Sequence, residues 1–221
     1  MAYILYIDTS AQLGFVGIAQ GEKLMSSRTN ESQKDHAATI HLNIEAVLEE
    51  AGLTLSEMDA IAVIGGPGSY TGLRIGLATA KGLCYALQKP LLMHNRLDLM
   101  CRQAIEGGKD FDNFIALLPA RQDEFFMAAY NRSNECIHPA QHIYQNDLDE
   151  LLGKLTGKTL LIGKGASLWS QAFQYIDTEN FTDGTWYRTA SEDFSHKRFA
   201  DLASAAPYYL KSVYTTQKKE T

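Results

Sequence analysis

The chain has 221 residues, 45% of them apolar, enough for one large domain or two small ones with real cores. Its formal charge is −6, from 20 basic against 26 acidic residues. That argues against a chain that binds nucleic acid by itself, because phosphate neutralisation needs a clustered basic surface; a local patch still fits within an acidic total. Cys84, Cys101 and Cys136 stand at no short spacing. An odd count with no export signal predicts free, mostly packed thiols in a reducing cytoplasm. The opening "MAYILYIDTS" has no basic n-region and meets Asp8 after a short apolar run, so it reads as a strand rather than a leader. No apolar run approaches the ~20 residues that span a membrane.

Strand and helix signals alternate from there. "YILYID" (Tyr3 to Asp8), "LGFVGIAQG" (Leu13 to Gly21) and "KLMSSRT" (Lys23 to Thr29) predict three strands in an antiparallel meander, with a turn at Gly21-Glu22. A helix follows, with Asp35 as N-cap and Gly52 at C′. Its Ala37, Ile40, Ile44, Val47, Leu48 and Ala51 recur at helical spacing. A buried strand, "DAIAVI" (Asp59 to Ile64), leads through "GGPGSYTGLRIG" (Gly65 to Gly76) into a second helix, Thr71 to Gln88. "PLLMH" (Pro90 to His94) predicts a strand and "RLDLMCRQAI" (Arg96 to Ile105) a helix.

The polar "EGGKDFDN" (Glu106 to Asn113) marks a lobe boundary, giving lobes of residues 1–106 and 107–221. The second half restarts with strands at "FIALL" (Phe114 to Leu118), "EFFMAAY" (Glu124 to Tyr130) and "ECIHPAQHIYQ" (Glu135 to Gln145). A helix at about Asp147 to Leu152, a strand "KTLLIG" (Lys158 to Gly163) and a late helix at Phe199 to Ala206, within 195–206 and stopped by Pro207, complete the reading. The late helix is a candidate to pack back on the first lobe. Two halves that each open with strands permit two related α/β lobes.

The glycine stretch fails both nucleotide signatures. A Walker loop needs G-x-x-x-x-G-K-[ST]; Gly68 and Gly72 are one residue too close, and Leu73 and Arg74 follow where Lys belongs. Gly66-Pro67-Gly68 is followed by three residues before Gly72, so G-x-G-x-x-G fails too. A backbone anion site at the helix start stays physically possible. Gly72, Gly76 and Ala80 recur at i, i+4 and i+8, a face without side chains that permits close helix contact at the near end of ~8–10 Å spacing. Leu73, Leu77, Ala80, Cys84 and Leu87 form an apolar stripe, and Ile75, Ala78, Leu83 and Ala86 add apolar surface elsewhere. Such a helix is buried on more than one side, by the sheet and by a second helix of this chain or of another. The first helix offers Ala38, Leu42 and Ala46 beside it.

Other chemistry is thin. His36 and His41 are five apart and do not share a helical face, unlike metal-binding i, i+4 pairs. Asp8, with Thr9 and Ser10, could hold a magnesium-bound phosphate or equally cap a turn. Arg121, Asp123 and Glu124 read as solvated, and His138 and His142 as surface residues. "GKGASLW" (Gly163 to Trp169) is a second glycine turn that could contact a nucleobase.

"YILYIDTSAQLGFVGIA", "KDHAATI", "IGGPGSYTGLRIGLATAKGL" and "PYYLK" together resemble the TsaB (formerly YeaZ) family of bacterial tRNA threonylcarbamoyladenosine biosynthesis proteins. The resemblance is close over the first 105 residues and looser beyond, through "ARQDEFFMAAY" and "LIGKGASLW". It implies an α/β, two-lobed actin-like ATPase fold (ASKHA, ribonuclease H-like). It also implies a non-catalytic scaffold that pairs with a TsaD-type catalytic subunit, joined by a TsaE-type ATPase, with tRNA reached through the complex. No catalytic residue, metal or cofactor is implied. Carried onto this chain, the interface comprises His36, Ile40 and Leu42 on the first helix, and Gly68, Ser69, Tyr70, Thr71, Gly72, Leu73, Arg74, Gly76, Leu77, Ala80 and Cys84 at the second. A homodimer through the same face is expected when the partner is absent. The chain departs from the family where many relatives read I-D-A-R: it has Leu118-Pro119-Ala120-Arg121, and Pro119 suggests an edge strand or bend. The rival is an ATP-dependent phosphotransferase or ATPase using Asp8, the Gly65 to Gly76 turn and Gly163 to Gly165.

Overall fold

A computed structural model describes residues 1–30, 36–178, 180–181 and 183–211, without the side chains of His36 and Asp183. The expected N-cap Asp35 and the end of the C-terminal tail lie outside these. β1 (Tyr3–Asp8) is apolar up to its last residue because it is the middle strand of a sheet covered on both faces. It pairs antiparallel with β2 (Gly14–Gln20), which pairs with β3 (Lys23–Asn30). On its other side β4 (Ala60–Gly66) and β5 (Leu91–Asn95) run parallel, giving the order β3-β2-β1-β4-β5.

Helices α1 (His36–Ala51) and α2 (Tyr70–Leu87) cover one face of this sheet. Ile40, Ile44 and Val47 of α1 and Leu77, Ala80 and Cys84 of α2 meet Leu5, Ile7, Ile61 and Val63 there. Gly52 follows α1 at φ +67°, the left-handed conformation that suits a glycine at C′.

The second sheet repeats the plan. β6 (Asn113–Pro119), β7 (Glu124–Asn131) and β8 (Cys136–Tyr144) form an antiparallel meander, and β9 (Thr159–Ile162) and β10 (Gln174–Ile176) run parallel to β6. The order β10-β9-β6-β7-β8 is that of the first sheet, strand for strand. β6 is therefore a central strand. Pro119 is tolerated because it is its last residue, where the hairpin to β7 begins. Of the two expected readings, edge strand or bend, the edge strand is thereby corrected, and Pro119 stands where the chain bends into the hairpin.

The halves exchange helices. α3 (Arg96–Glu106) packs Leu97, Cys101 and Ala104 on Phe114 and Ala116 of the second sheet. α4 (Gln145–Lys154) covers that sheet's other face with Leu148 and Leu152. α5 (Asp183–Ser195) covers the free face of the first sheet, where Trp186, Tyr187 and Ala190 meet Ile4, Tyr6 and Ala62. The edges of Trp186 and Tyr187 stand against the Tyr6 ring, with centroids 5.0 and 4.7 Å away.

The late helix expected at Phe199 to Ala206 is absent. Ala200 instead bridges to Leu91 (N···O 2.9 Å), and the carbonyls of Ala203 and Ala205 accept from the Lys81 ammonium. These non-local bonds replace helical ones. Ala200, Leu202 and Ala205 nevertheless pack against the first sheet's core. The segment then crosses to the second half, where Leu210 joins the α3 core and Lys211 pairs with Glu124.

Candidate functional site

The glycine motif lies where β4 turns into α2, against the end of β1. Ser69 caps α2 by accepting from the Gly72 amide (3.3 Å), and its own amide donates to the Ser10 carbonyl (2.8 Å). Thr9 Oγ1 donates to the Gly72 carbonyl at 2.7 Å. A methyl at Gly72 would overlap the Thr9 carbonyl oxygen, and one at Gly76 would overlap Thr9 Oγ1. The glycines thus let the helix press on the Asp8–Ser10 turn. Their ridge is not open to another chain. Leu73, Gly76, Leu77, Ala80 and Cys84 are buried, as is Ile40 on α1. This corrects the reading of Gly72, Gly76 and Ala80 as an open contact face: sheet and turn cover it. Burial also pushes the Cys84 thiol up to about 12, so it is unreactive at neutral pH.

The exposed face of α2 is a different ridge, one-half turn away. Ala78, Gly82 and Ala86 again recur at i, i+4 and i+8, all exposed, and a methyl at Gly82 would meet nothing within 4 Å. Tyr85 is 81% exposed beside them. On α1, Ala38, His41 and Leu42 are exposed, Leu42 at 62%. Lys81, beside this ridge, turns its ammonium to the Ala203 and Ala205 carbonyls, and Ala78, Gly82 and Ala86 themselves carry no charge. At the start of α2, Thr71, Tyr70 and Arg74 are exposed. Arg74 stacks over Tyr70, its carbon 4.1 Å from the ring centroid, and donates from Nε to Tyr209 Oη at 2.9 Å. That bond favours the charged guanidinium.

Asp8 is already occupied. Its Oδ1 accepts from the amide (2.8 Å) and hydroxyl (2.6 Å) of Ser10, and its Oδ2 from Arg96 Nη2 at 2.5 Å. Arg96 Nη2 also reaches Ser10 Oγ at 2.8 Å. Asp8 is 7% exposed and Arg96 4%, so the pair is a buried, hydrogen-bonded ion pair. A guanidinium holds the place a cation would take. Gly163 and Gly165 adopt φ +141° and +88° after β9, and a single turn of 3₁₀-helix (Ala166–Trp169) follows. Phe125 and Pro119 lie 3.5 Å from where a Gly165 side chain would begin, so that turn packs on its own sheet. No group of three or more potential metal ligands occurs among the described residues, nor is any described helix long and apolar enough to cross a membrane.

Two adjoining cavities open between the halves. One, of about 470 Å³, lies between the Ser10 turn, Gly68-Ser69, Arg96, Pro119 and Lys164. The other, of about 420 Å³, lies between Tyr70, Arg121, Phe126 and the Tyr208–Lys211 segment. They share Pro67, Gly68, Ala120 and Phe126. Gly68, Ser69 and Tyr70 therefore stand at the mouth of a groove rather than on the α1–α2 face. Arg96 and Tyr85 carried no motif that marked them, and Gly82, Lys164 and Tyr209 lay inside the stretches "IGGPGSYTGLRIGLATAKGL", "GKGASLW" and "PYYLK" without being singled out. The one available signal was a glycine, Gly82, inside an otherwise apolar helix.

Residues 24–203 match the family described as TsaD: tRNA N6-adenosine threonylcarbamoyltransferase. The chain is similar to the tRNA threonylcarbamoyladenosine biosynthesis protein TsaB of Bacillus subtilis, 26% identical over 78% of this chain and 76% of that one. It is similar to the TsaB of Escherichia coli, 24% identical over 95% and 94%. Its fold matches that of YeaZ from Pseudomonas aeruginosa, with a TM-score of 0.73 at 22% identity over 95% of this chain and 100% of that one. A second match in fold is the (R)-2-hydroxyglutaryl-CoA dehydratase component A of Acidaminococcus fermentans, TM-score 0.50, 10% identical, over 90% of this chain and 100% of that one. Two mixed sheets of one topology, flanked by helices, make this the actin-like ATPase (ASKHA) fold. The chain belongs to the TsaD family, and within it to the TsaB (YeaZ) proteins.

Proposed function

We propose that this chain is a scaffold and activator in the synthesis of threonylcarbamoyladenosine on tRNA, docking a TsaD-type catalytic subunit on the outer faces of α1 and α2. The observation that carries this is the Ala78–Gly82–Ala86 ridge with Tyr85 and Leu42 exposed beside it. An uncharged helix face of small residues flanked by large apolar ones suits close helix-to-helix association. A TsaE-type ATPase joins that pair, and tRNA is held by the assembly. The same face pairs two copies when the catalytic subunit is absent.

The engaged Asp8 supports an accessory rather than a catalytic role. A carboxylate whose oxygens already meet a guanidinium and two Ser10 donors is not poised to hold magnesium and phosphate. The test is native mass spectrometry of the purified chain mixed with a purified TsaD-type subunit. A heterodimer that forms at the expense of homodimer is expected. Two non-interacting species, or turnover of ATP by this chain alone that Asp8→Asn abolishes, would refute the proposal.

A further inference from the structure

We infer that Arg74 is a carboxylate receptor on the docking face, reading an acidic side chain of the partner's facing helix. The inference rests on the proposed docking of a TsaD-type subunit and names what that subunit must offer. Arg74 stands four residues before Ala78, so the row Ala78–Gly82–Ala86 runs back onto it. A helix laid along that row crosses the guanidinium as it reaches the start of α2.

The bonds that Arg74 already makes position it without answering its charge. Nε donates to Tyr209 Oη at 2.9 Å, and Nη2 donates to Tyr70 Oη. The guanidinium lies over the Tyr70 ring at 4.1 Å and 5.9 Å from the Tyr209 centroid, and the two rings pack on each other at 5.1 Å. Phenol hydroxyls accept hydrogen bonds but leave the positive charge in place. A guanidinium has five N–H groups, and these two bonds leave both on Nη1 and one on Nη2. Among the described residues no carboxylate pairs with Arg74, although it is exposed. An exposed cation held in one place by two tyrosines loses little rotamer freedom on binding, and Tyr and Arg are the residue types that anchor interfaces. Its complement is a carboxylate, which takes two parallel N–H bonds from an arginine fork. A second copy's α2 cannot supply one, because α2 contains no acidic residue. The occupant is therefore an Asp or Glu of the TsaD-type subunit.

The experiment measures binding of a purified TsaD-type subunit by calorimetry, and association rates at about 50 and about 500 mM salt. Arg74→Met keeps a long apolar stem; it should weaken pairing at least about tenfold and flatten the salt dependence of the association rate. Arg74→Lys keeps the charge, so it should retain the salt dependence while losing part of the affinity. Tyr209→Phe removes the hydroxyl that positions Nε. It should weaken pairing in the wild-type chain and have no further effect alongside Arg74→Met. Carbodiimide treatment of the Arg74→Lys chain in complex joins the introduced amine to a touching carboxylate as an amide, the water lost being taken up by the carbodiimide. Mass spectrometry should place that amide on an Asp or Glu of the subunit. Reversing that acid to Lys should weaken pairing with the wild-type chain, and Arg74→Glu should restore part of it. Thermal melts establish that each variant is folded. A folded Arg74→Met chain that pairs within about twofold of wild type, or an amide found only within this chain, would overturn the inference. If Arg74→Met pairs normally while Gly82→Leu does not, the docking reading stands and this inference alone falls. A wild-type chain that does not pair at all removes both.

Discussion

Arg96 donates from Nη2 to Asp8 Oδ2 at 2.5 Å, joining the first turn of α3 to the end of β1 across 88 positions of sequence. The pair is buried and further tied to Ser10. Breaking one side strands a buried charge, so Arg96→Met should cost about 3–5 kcal/mol in urea unfolding. Adding Asp8→Asn to Arg96→Met should recover part of that loss, because the double variant leaves no lone carboxylate. Additive losses would mean that the two side chains do not depend on each other.

Two glycines of α2 should respond to the same substitution with opposite signs. At Gly72 a methyl overlaps the Thr9 carbonyl, so Gly72→Ala should destabilise by about 1–3 kcal/mol. At Gly82 the space is open, and Ala is the better helix former by about 1 kcal/mol, so Gly82→Ala should raise Tm. Thermal melts of the two variants decide it. A loss at both positions would place Gly82 against the body of the protein.

Asp98, in the first turn of α3, has its carboxyl pushed up from 3.8 by burial, against a hydrogen bond from Tyr130 and the nearby His94, which lower it. Its Oδ1 has no hydrogen-bond partner. The folded state therefore holds this proton more tightly than the unfolded chain. The contribution to stability is complete below pH 3.8 and is lost as the pH rises through the raised folded value. Asp98→Asn should remove that decline, leaving the variant at least as stable as wild type at pH 7. A variant less stable than wild type at pH 7, with an unchanged slope between pH 4 and 7, would contradict the assignment.

How far the sequence discloses this molecule depends on the range of the interactions concerned. The β1–β2–β3 meander, α1, α2 and the strands β6, β7 and β8 were legible because alternation, helical spacing and turn residues are local signals. α5 was not: in "DGTWYRTASEDFS" only Trp186, Tyr187 and Ala190 are buried hydrophobics, too narrow a stripe to stand out. The helix expected at Phe199 to Ala206 is overridden by distant partners, Leu91 and Lys81, that no local pattern announces. On α2 the ridges Gly72–Gly76–Ala80 and Ala78–Gly82–Ala86 have the same i, i+4, i+8 spacing in an almost wholly apolar helix. The Thr9 turn, with Ile7 and Val63 of the sheet, decides which one faces inward. The Asp8–Arg96 pair joins positions 88 apart in the first half, and the groove beside Lys164 and Tyr209 depends on how the two halves meet, neither of which spacing along the chain encodes.

The account rests on the outward ridge of α2, and the dissociation constant between this chain and a purified TsaD-type subunit tests it most directly. Gly82→Leu fills open space and should leave the fold intact by circular dichroism and thermal melting. It should weaken pairing at least about tenfold, the equivalent of about 1.4 kcal/mol. A folded Gly82→Leu chain that binds the subunit as tightly as wild type would contradict the account.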